Sequence, residues 1–329
     1  LNVVHILYDT DPGVDDAFAL LYLHRHPNAE LVGITTVAGN GTIDDVTRNA
    51  LFLADRFGIA APVARGAALP LERALRAPPR EIHGENALGN VALPRRIGTQ
   101  LDPRPAHRLI IDTIRARPGE ITILGVAMFT NLARAVREDP GIVPLVRNVV
   151  IMGGAFGTAG HYGNAWPVAE ANVFSDPHAA DIVCTAAWPL TIVGLDATER
   201  ILMSEPYLDR LRAGGTSEGA FLWDVSRGYQ AFHAQRDGIA GIYAHDSAAA
   251  VCALDDTPFT FRRGPVRVVD DGIAVGMTLQ KPEGRPFGPS PWDGLPSQRV
   301  AVEADAERVL DLFAAPFLAA TNLRVESKA

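Results

Sequence analysis

Four carboxylates fall within the eight residues DTDPGVDD, from Asp9 to Asp16. Two unit negative charges about 4 Å apart repel by roughly 4 kcal/mol at an effective dielectric of about 20, so side chains gathered this way either bind a cation or hold some of their protons. A ligand set of carboxylate oxygen suits a hard divalent ion, Ca²⁺ or Mg²⁺, better than zinc, which favours nitrogen and sulfur. One or two acids after a Pro-Gly turn would be ordinary helix-start residues, stabilised by the helix dipole; four exceed that need. Four later segments also carry chemical side chains: IHGENALGN (82–90) has His83, AMFTNLARA (127–135) has Thr130 and Asn131, GNAWPVAEANVFSDPHAAD (163–181) has Glu170 and Asn172, and YAHDSAAA (243–250) has His245 and Asp246. Each has a plain structural reading beside the chemical one: Asn131 as a helix cap, His83 as a solvated loop side chain, Asp246 as a first-turn acid.

These residues need elements to position them. VVHILYD (3–9) is a β-prone run that stops at a turn signal, and FALLYLHRH (18–26) then spaces its apolar residues as a helix does. ELVGITTVAGN (30–40) reads as a strand, DDVTRNALFLADRFG (44–58) as a helix and APVARG (61–66) as a short strand. ITILGVA (121–127), VRNVVIMGG (146–154) and PLTIVGLDAT (189–198) continue the buried-strand pattern; QRVAVEAD is the last strand and AERVLDLFAAPFL a terminal helix. The alternation predicts an α/β fold, a single domain over 1–329 with a mainly parallel open sheet and helices on both faces. Ligands of such sheets bind outside the carboxyl ends of the strands. Asp9–Asp16, Asn40, Val126 and Met152 all fall at such ends. Segments 67–106 and 155–172 are too long for simple connections and read as functional loops, and the Pro-rich 282–296 as a surface excursion.

Composition narrows the class. The chain has 329 residues, 47% apolar and 21% charged, with a net charge of −8, which is ordinary for a globular protein and offers no basic face for nucleic acid or anionic membrane. Cys184 and Cys252 stand in apolar runs with no metal or redox spacing, the expectation for buried thiols in a reducing cytoplasm. No segment has the length and apolarity of a membrane span, and the amino end lacks the basic-then-apolar layout of a signal peptide.

Taken in order, TDPGVDDAFAL, TVAGN, TNLA, MGG, AEANVFSDPHAAD and YAHD resemble the inosine-uridine-preferring nucleoside hydrolases, Ca²⁺-dependent N-ribohydrolases; VGLDATERILM (193–203) and RVAVEADAERVLDLF (299–313) extend the likeness along the chain. The resemblance implies a Rossmann-like nucleoside hydrolase fold and hydrolysis of ribonucleosides to ribose and free base, as in purine or pyrimidine salvage. It implies Ca²⁺ held by Asp11, Asp16, Asp246 and the carbonyl of Val126. Asp11 would also be the base that activates water. Asp15, Asn40, Glu170 and Asn172 would hold the ribose, Met152 would lie beneath it, and Asp9 would support the ligands from behind. His83 and His245 would face the base, with His245 as the acid because an unperturbed imidazole titrates near neutrality. Tyr229 would stack on the base, as part of an aromatic run with Phe221, Trp223, Phe232 and Tyr243. The partner implied is a small ribonucleoside, and the assembly a homodimer or homotetramer.

Two departures stand out: AMFTN (127–131) where the family usually carries GPLTN, and AEAN (169–172) where AEFN is usual. The second places Ala171 where an aromatic would sit beside the sugar. Hydrolysis of a related non-nucleoside riboside and non-catalytic nucleoside or sugar binding are the alternative readings. Asp9-x-Asp11 also resembles the aspartyl pair of haloacid-dehalogenase-like phosphatases. That chemistry uses a lysine near the phosphoryl group, and the only lysines are Lys281 and Lys328, both late in the chain.

Overall fold

The computed structural model describes residues 3–318, so the two ends of the expected 1–329 unit, Lys328 included, lie outside the described residues. The strands are β1 (Val4–Thr10), β2 (Ala29–Thr36), β3 (Val63–Arg65), β4 (Leu101–Asp102), β5 (Ile121–Gly125), β6 (Asn148–Met152), β7 (Leu190–Val193), β8 (Leu202–Ser204), β9 (Gly241–Tyr243), β10 (Phe259–Gly264), β11 (Val266–Val268), β12 (Thr278–Gln280) and β13 (Gln298–Ala304). Nine of them form one sheet in the order β10-β13-β7-β6-β5-β1-β2-β3-β4. Only β10 runs antiparallel, against β13 at one edge.

The helices are α1 (Val14–Arg25), α2 (Ile43–Phe57), α3 (Arg80–His83), α4 (Ala106–Ala116), α5 (Thr130–Glu138), α6 (Ala171–Ser175), α7 (Pro177–Thr185), α8 (Leu195–Thr198), α9 (Glu205–Ala213), α10 (Ser217–Asp237), α11 (His245–Leu254) and α12 (Ala306–Leu318). The central strands are near-continuous apolar runs because helices cover both faces. Along them the side chains alternate between two cores. Ile6, Tyr8, Leu124, Val150 and Met152 join the core under α1, α11 and α12, whereas Leu7, Ile123, Val149 and Ile151 join the one under α4, α5 and α7. Among the described residues no helix is long and apolar enough to cross a membrane. Both cysteines are buried and free.

One expected strand is divided. The run 189–198 keeps strand geometry only to Val193, and Leu195–Thr198 turns as α8. Gly194 makes the break because the backbone of Gly153 and Gly154 lies too close for any side chain there. The consequence is local, since α8 carries Thr198 to the ring of His245, which lines the cavity described next.

Candidate active site

The exit of β1 builds the first wall. Asp16 enters α1 at its third residue, and its Oδ1 accepts from the Thr10 hydroxyl at 2.5 Å and the Asp11 N–H at 3.1 Å. Its Oδ2 accepts from the Gly13 N–H and the Asn40 side-chain amide, both at 2.9 Å. The plain helix-start role is therefore real for Asp16. It does not exhaust the cluster: Asp15, Asp16 and Asp246 each present an oxygen within 4.8 Å of the other two. Asp11 stands beside them with Oδ2 fixed by the Asn40 N–H at 2.7 Å. A Cβ on Gly39 would collide with that oxygen, so only glycine leaves it room.

Asp11 Oδ1 and Asp15 Oδ1 are buried with no hydrogen-bond partner. Partnerless buried carboxylate oxygens next to three converging acids fit a hard cation. Burial raises the proton affinity of each acid. It pushes Asp15 up to about 6, and with the neighbouring charges of Asp15, Asp16 and Asp11 it holds Asp246 well above the carboxylate range. Asp11 is raised by burial and then by Asp16. The acids brought together most tightly thus include Asp15, which the sequence reading gave to the ribose, with Asp11 alongside.

Asp9 lies behind this wall. Its Oδ1 accepts from the Thr35 hydroxyl at 2.6 Å and the Asn131 amide at 2.8 Å, and burial pushes it up to about 7. Asn131 is not the helix cap that its place after a strand allowed. Its amide also donates to the Thr36 carbonyl at 2.9 Å, and its Oδ1 accepts from the Ala67 N–H at 2.9 Å. One side chain therefore braces β1, β2 and the loop after β3.

The second wall comes from β5, β6 and α6. The Asn172 amide donates to the carbonyls of Val126 at 3.0 Å and Met152 at 3.1 Å. Glu170 caps α6, accepting from Asn172 N–H at 2.8 Å, Gly154 N–H at 3.0 Å and Val173 N–H at 3.1 Å. Ala171 lines the cavity, so the missing aromatic leaves open space there, and Arg76 of the 67–79 loop lines it as well. The Arg76 guanidinium lies 4.9 Å from the centre of the Phe174 ring.

Rings form the third wall. His83 ends α3, accepts from the Val14 N–H at 3.2 Å through Nδ1, and stacks on Tyr229 of α10 with centroids 5.4 Å apart. His245 opens α11 with Nδ1 2.8 Å from the Thr198 hydroxyl. Burial, then the neighbouring His233 and His83, pushes His245 down to about 3, and burial pushes His83 down to about 4. Burial thus works against the near-neutral imidazole expected at 245 and favours the uncharged ring. Of the aromatic run, Tyr229 and Tyr243 line the cavity. Phe221 instead packs in the core against Phe52 and Phe57, Trp223 lies 4.1 Å from each of the Arg212 and Arg227 guanidiniums, and Phe232 packs against His233 and Arg236. Sequence reading missed His233, one helical turn beyond Tyr229 on the same face; the i, i+4 spacing was the available signal.

The three walls enclose about 280 Å³ at the carboxyl ends of β1, β2, β5 and β6. The family model described as inosine-uridine preferring nucleoside hydrolase matches residues 6–311. The chain belongs to this family. An inosine-uridine preferring nucleoside hydrolase of Leishmania major is 42% identical over 83% of this chain and 86% of its own length. Uridine nucleosidase 1 of Arabidopsis thaliana is 36% identical over 93% and 90%. The solved plant nucleoside hydrolase PpNRh1 superposes with a TM-score of 0.90 at 34% identity, covering 96% of this chain and 99% of its own. As a nucleoside hydrolase the protein is an enzyme that cleaves N-glycosyl bonds of ribonucleosides.

Proposed function

We propose that the enzyme hydrolyses the N-ribosidic bond with Ca²⁺ held among Asp11, Asp15, Asp16, Asp246 and the Val126 carbonyl, and with Asp11 as general base. The observation that carries this reading is the pair of partnerless oxygens on Asp11 and Asp15 beside the acid cluster. A bound divalent cation would supply positive charge to the ribose 2′- and 3′-hydroxyls and lower the pKa of water near the anomeric carbon.

The side chains divide the remaining work. Asn40 holds one oxygen of Asp11, so the carboxylate is fixed in orientation while Oδ1 is free to take a proton from the attacking water. Burial strengthens it as a base. As the C1′–N bond breaks, its electron pair leaves with the base, and the carboxylates favour the positive charge that develops on the sugar. Glu170 and Asn172 hold the hydroxyls on the far side of the ribose, above Met152. Tyr229 and His83 stack against the base. Burial favours the neutral ring of His245, so it assists by hydrogen bonding: in the tautomer where Nδ1 accepts from the Thr198 hydroxyl, Nε2 carries the ring proton and offers it to the departing base.

A reducing-sugar assay over a panel of ribonucleosides, with and without a Ca²⁺ chelator, tests this. Release of ribose that the chelator stops and added Ca²⁺ restores is expected. Full activity in chelator would overturn the metal assignment.

A further inference from the structure

Against the second wall the cavity carries charge opposite in sign to its acid cluster. Arg76 lines it from the 67–79 loop, its guanidinium 4.9 Å from the centre of the Phe174 ring. Arg73 lies 4.7 Å from the same ring and donates to the Phe174 carbonyl at 2.7 Å. Trp166, stacked on Phe174 at 5.4 Å, steadies that ring. In a chain of net charge −8, neither guanidinium has a carboxylate at ion-pair distance, and Arg76 makes no hydrogen bond, among the described residues. Glu170 and Glu81 face Arg76. Glu170, however, already accepts from three backbone N–H groups. A second donor on this wall is also unused: Asn164 spends its Oδ1 on the Ala171 N–H at 3.0 Å, and its side-chain amide has no acceptor among the described residues. Ala171, where the family usually carries an aromatic, leaves room in front of these donors.

The ribose decides what reaches them. With its 2′- and 3′-hydroxyls at the cation and C1′ turned to the rings, C4′ directs the C5′ substituent away from the base, toward the second wall. A guanidinium is always charged, and its fork of N–H donors matches the oxygens of a phosphoryl group. We propose that the enzyme takes ribonucleoside 5′-monophosphates, with Arg76 and the Asn164 amide holding the 5′-phosphoryl group. Water breaks the C1′–N bond as it does in a nucleoside; the products are free base and ribose 5-phosphate, and the phosphoester stays intact. Arg76 is exposed at the cavity mouth, so the phosphoryl group keeps part of its hydration and the attraction is screened, worth about tenfold in affinity rather than a thousandfold. This inference rests on the hydrolase reading above and names a substrate class for it.

The test compares each nucleoside with its own monophosphate: uridine against uridine 5′-monophosphate, and inosine against inosine 5′-monophosphate, whichever base is cleaved. The wild type should cleave the monophosphate with a kcat/KM at least equal to that of the nucleoside. Arg76→Ala should lower the monophosphate to nucleoside ratio about tenfold, and Arg76→Lys, which keeps the charge and loses the fork, about threefold. Ala171→Phe, which fills the room, should lower it too. A merely structural role for the loop would slow both members together. Calorimetry of the Ca²⁺-loaded protein gives a readout besides turnover: ribose 5-phosphate should bind about tenfold tighter than ribose, and Arg76→Ala should abolish the difference. A difference that survives in Arg76→Ala puts the phosphoryl group on the cation and overturns the inference. So does a ratio unchanged to within about twofold in Arg76→Ala, or a wild type that cleaves nucleosides and leaves monophosphates intact; these outcomes leave the hydrolase reading standing. A wild type inert on all four substrates overturns both.

Discussion

At the carboxylate end of the cavity Asp16 accepts from four donors, Asp9 from two, and Asn131 ties three segments together, whereas at the opposite end His83, Tyr229, His233, Tyr243 and His245 form a chain of ring contacts in which each histidine has a single hydrogen-bond partner. The first end sits on strand exits and the first turns of α1 and α11; the second is carried largely by α10 and the loop around α3. Hydrogen bonds to charge are directional and strong, so the first end is fixed in position. Ring contacts are less directional, so the second can be re-formed by exchanging side chains on one helix. On the function proposed above, the chemistry and the contacts to the base are thus held by different physics.

The sharpest way to break this contrast is to remove the cation. Turnover should fall to background in chelator, and the stability of the stripped protein should become pH-dependent. Asp9 at about 7, Asp15 at about 6 and the likewise raised Asp11 and Asp246 lie above their unfolded values, so the stability these four acids contribute is fully present below about pH 4 and is lost as pH rises through 6 to 7, outweighing the opposite contribution of the two imidazoles held low by burial, His83 and His245. The Tm in chelator should fall from pH 5 to pH 8 and recover with Ca²⁺. A Tm that rises over that range refutes the account. Next in size, Asp11→Asn should lower kcat about a thousandfold with ribose inhibition retained; turnover unchanged in that variant removes Asp11 as the base.

The ring end should respond less. His245→Ala is expected to lower kcat about a hundredfold. Because the ring is neutral, the wild-type profile should show no imidazole limb between pH 5 and 8, and such a limb that vanished in His245→Ala would restore an imidazolium acid. Tyr229→Leu should raise KM about tenfold while moving kcat little, which steady-state kinetics would read. An equal loss in kcat would mean that Tyr229 acts in the transition state.

The parallel sheet and the position of the acids were legible because uninterrupted apolar runs and a turn packed with carboxylates are local signals. His83, Glu170, Asn172, His245 and Asp246 were legible only together, as ordered motifs. What escaped was relational. Nothing near Asn131 tells that its amide reaches Asp9 and Thr36, and nothing near His245 tells that burial beside two other histidines strips its proton. The break at Gly194 depended on Gly153 and Gly154, forty residues earlier, passing too close for a side chain.

Gly39 has a bearing on anyone reshaping this enzyme. The room that Asp11 needs is lent by a residue at the exit of a different strand, so a library that diversifies 37–41 in search of new substrates contains a letter whose change displaces the Asp11 carboxylate. A lone methyl at that site would work as a plug: the barrel of the lock would be intact and the key would never turn.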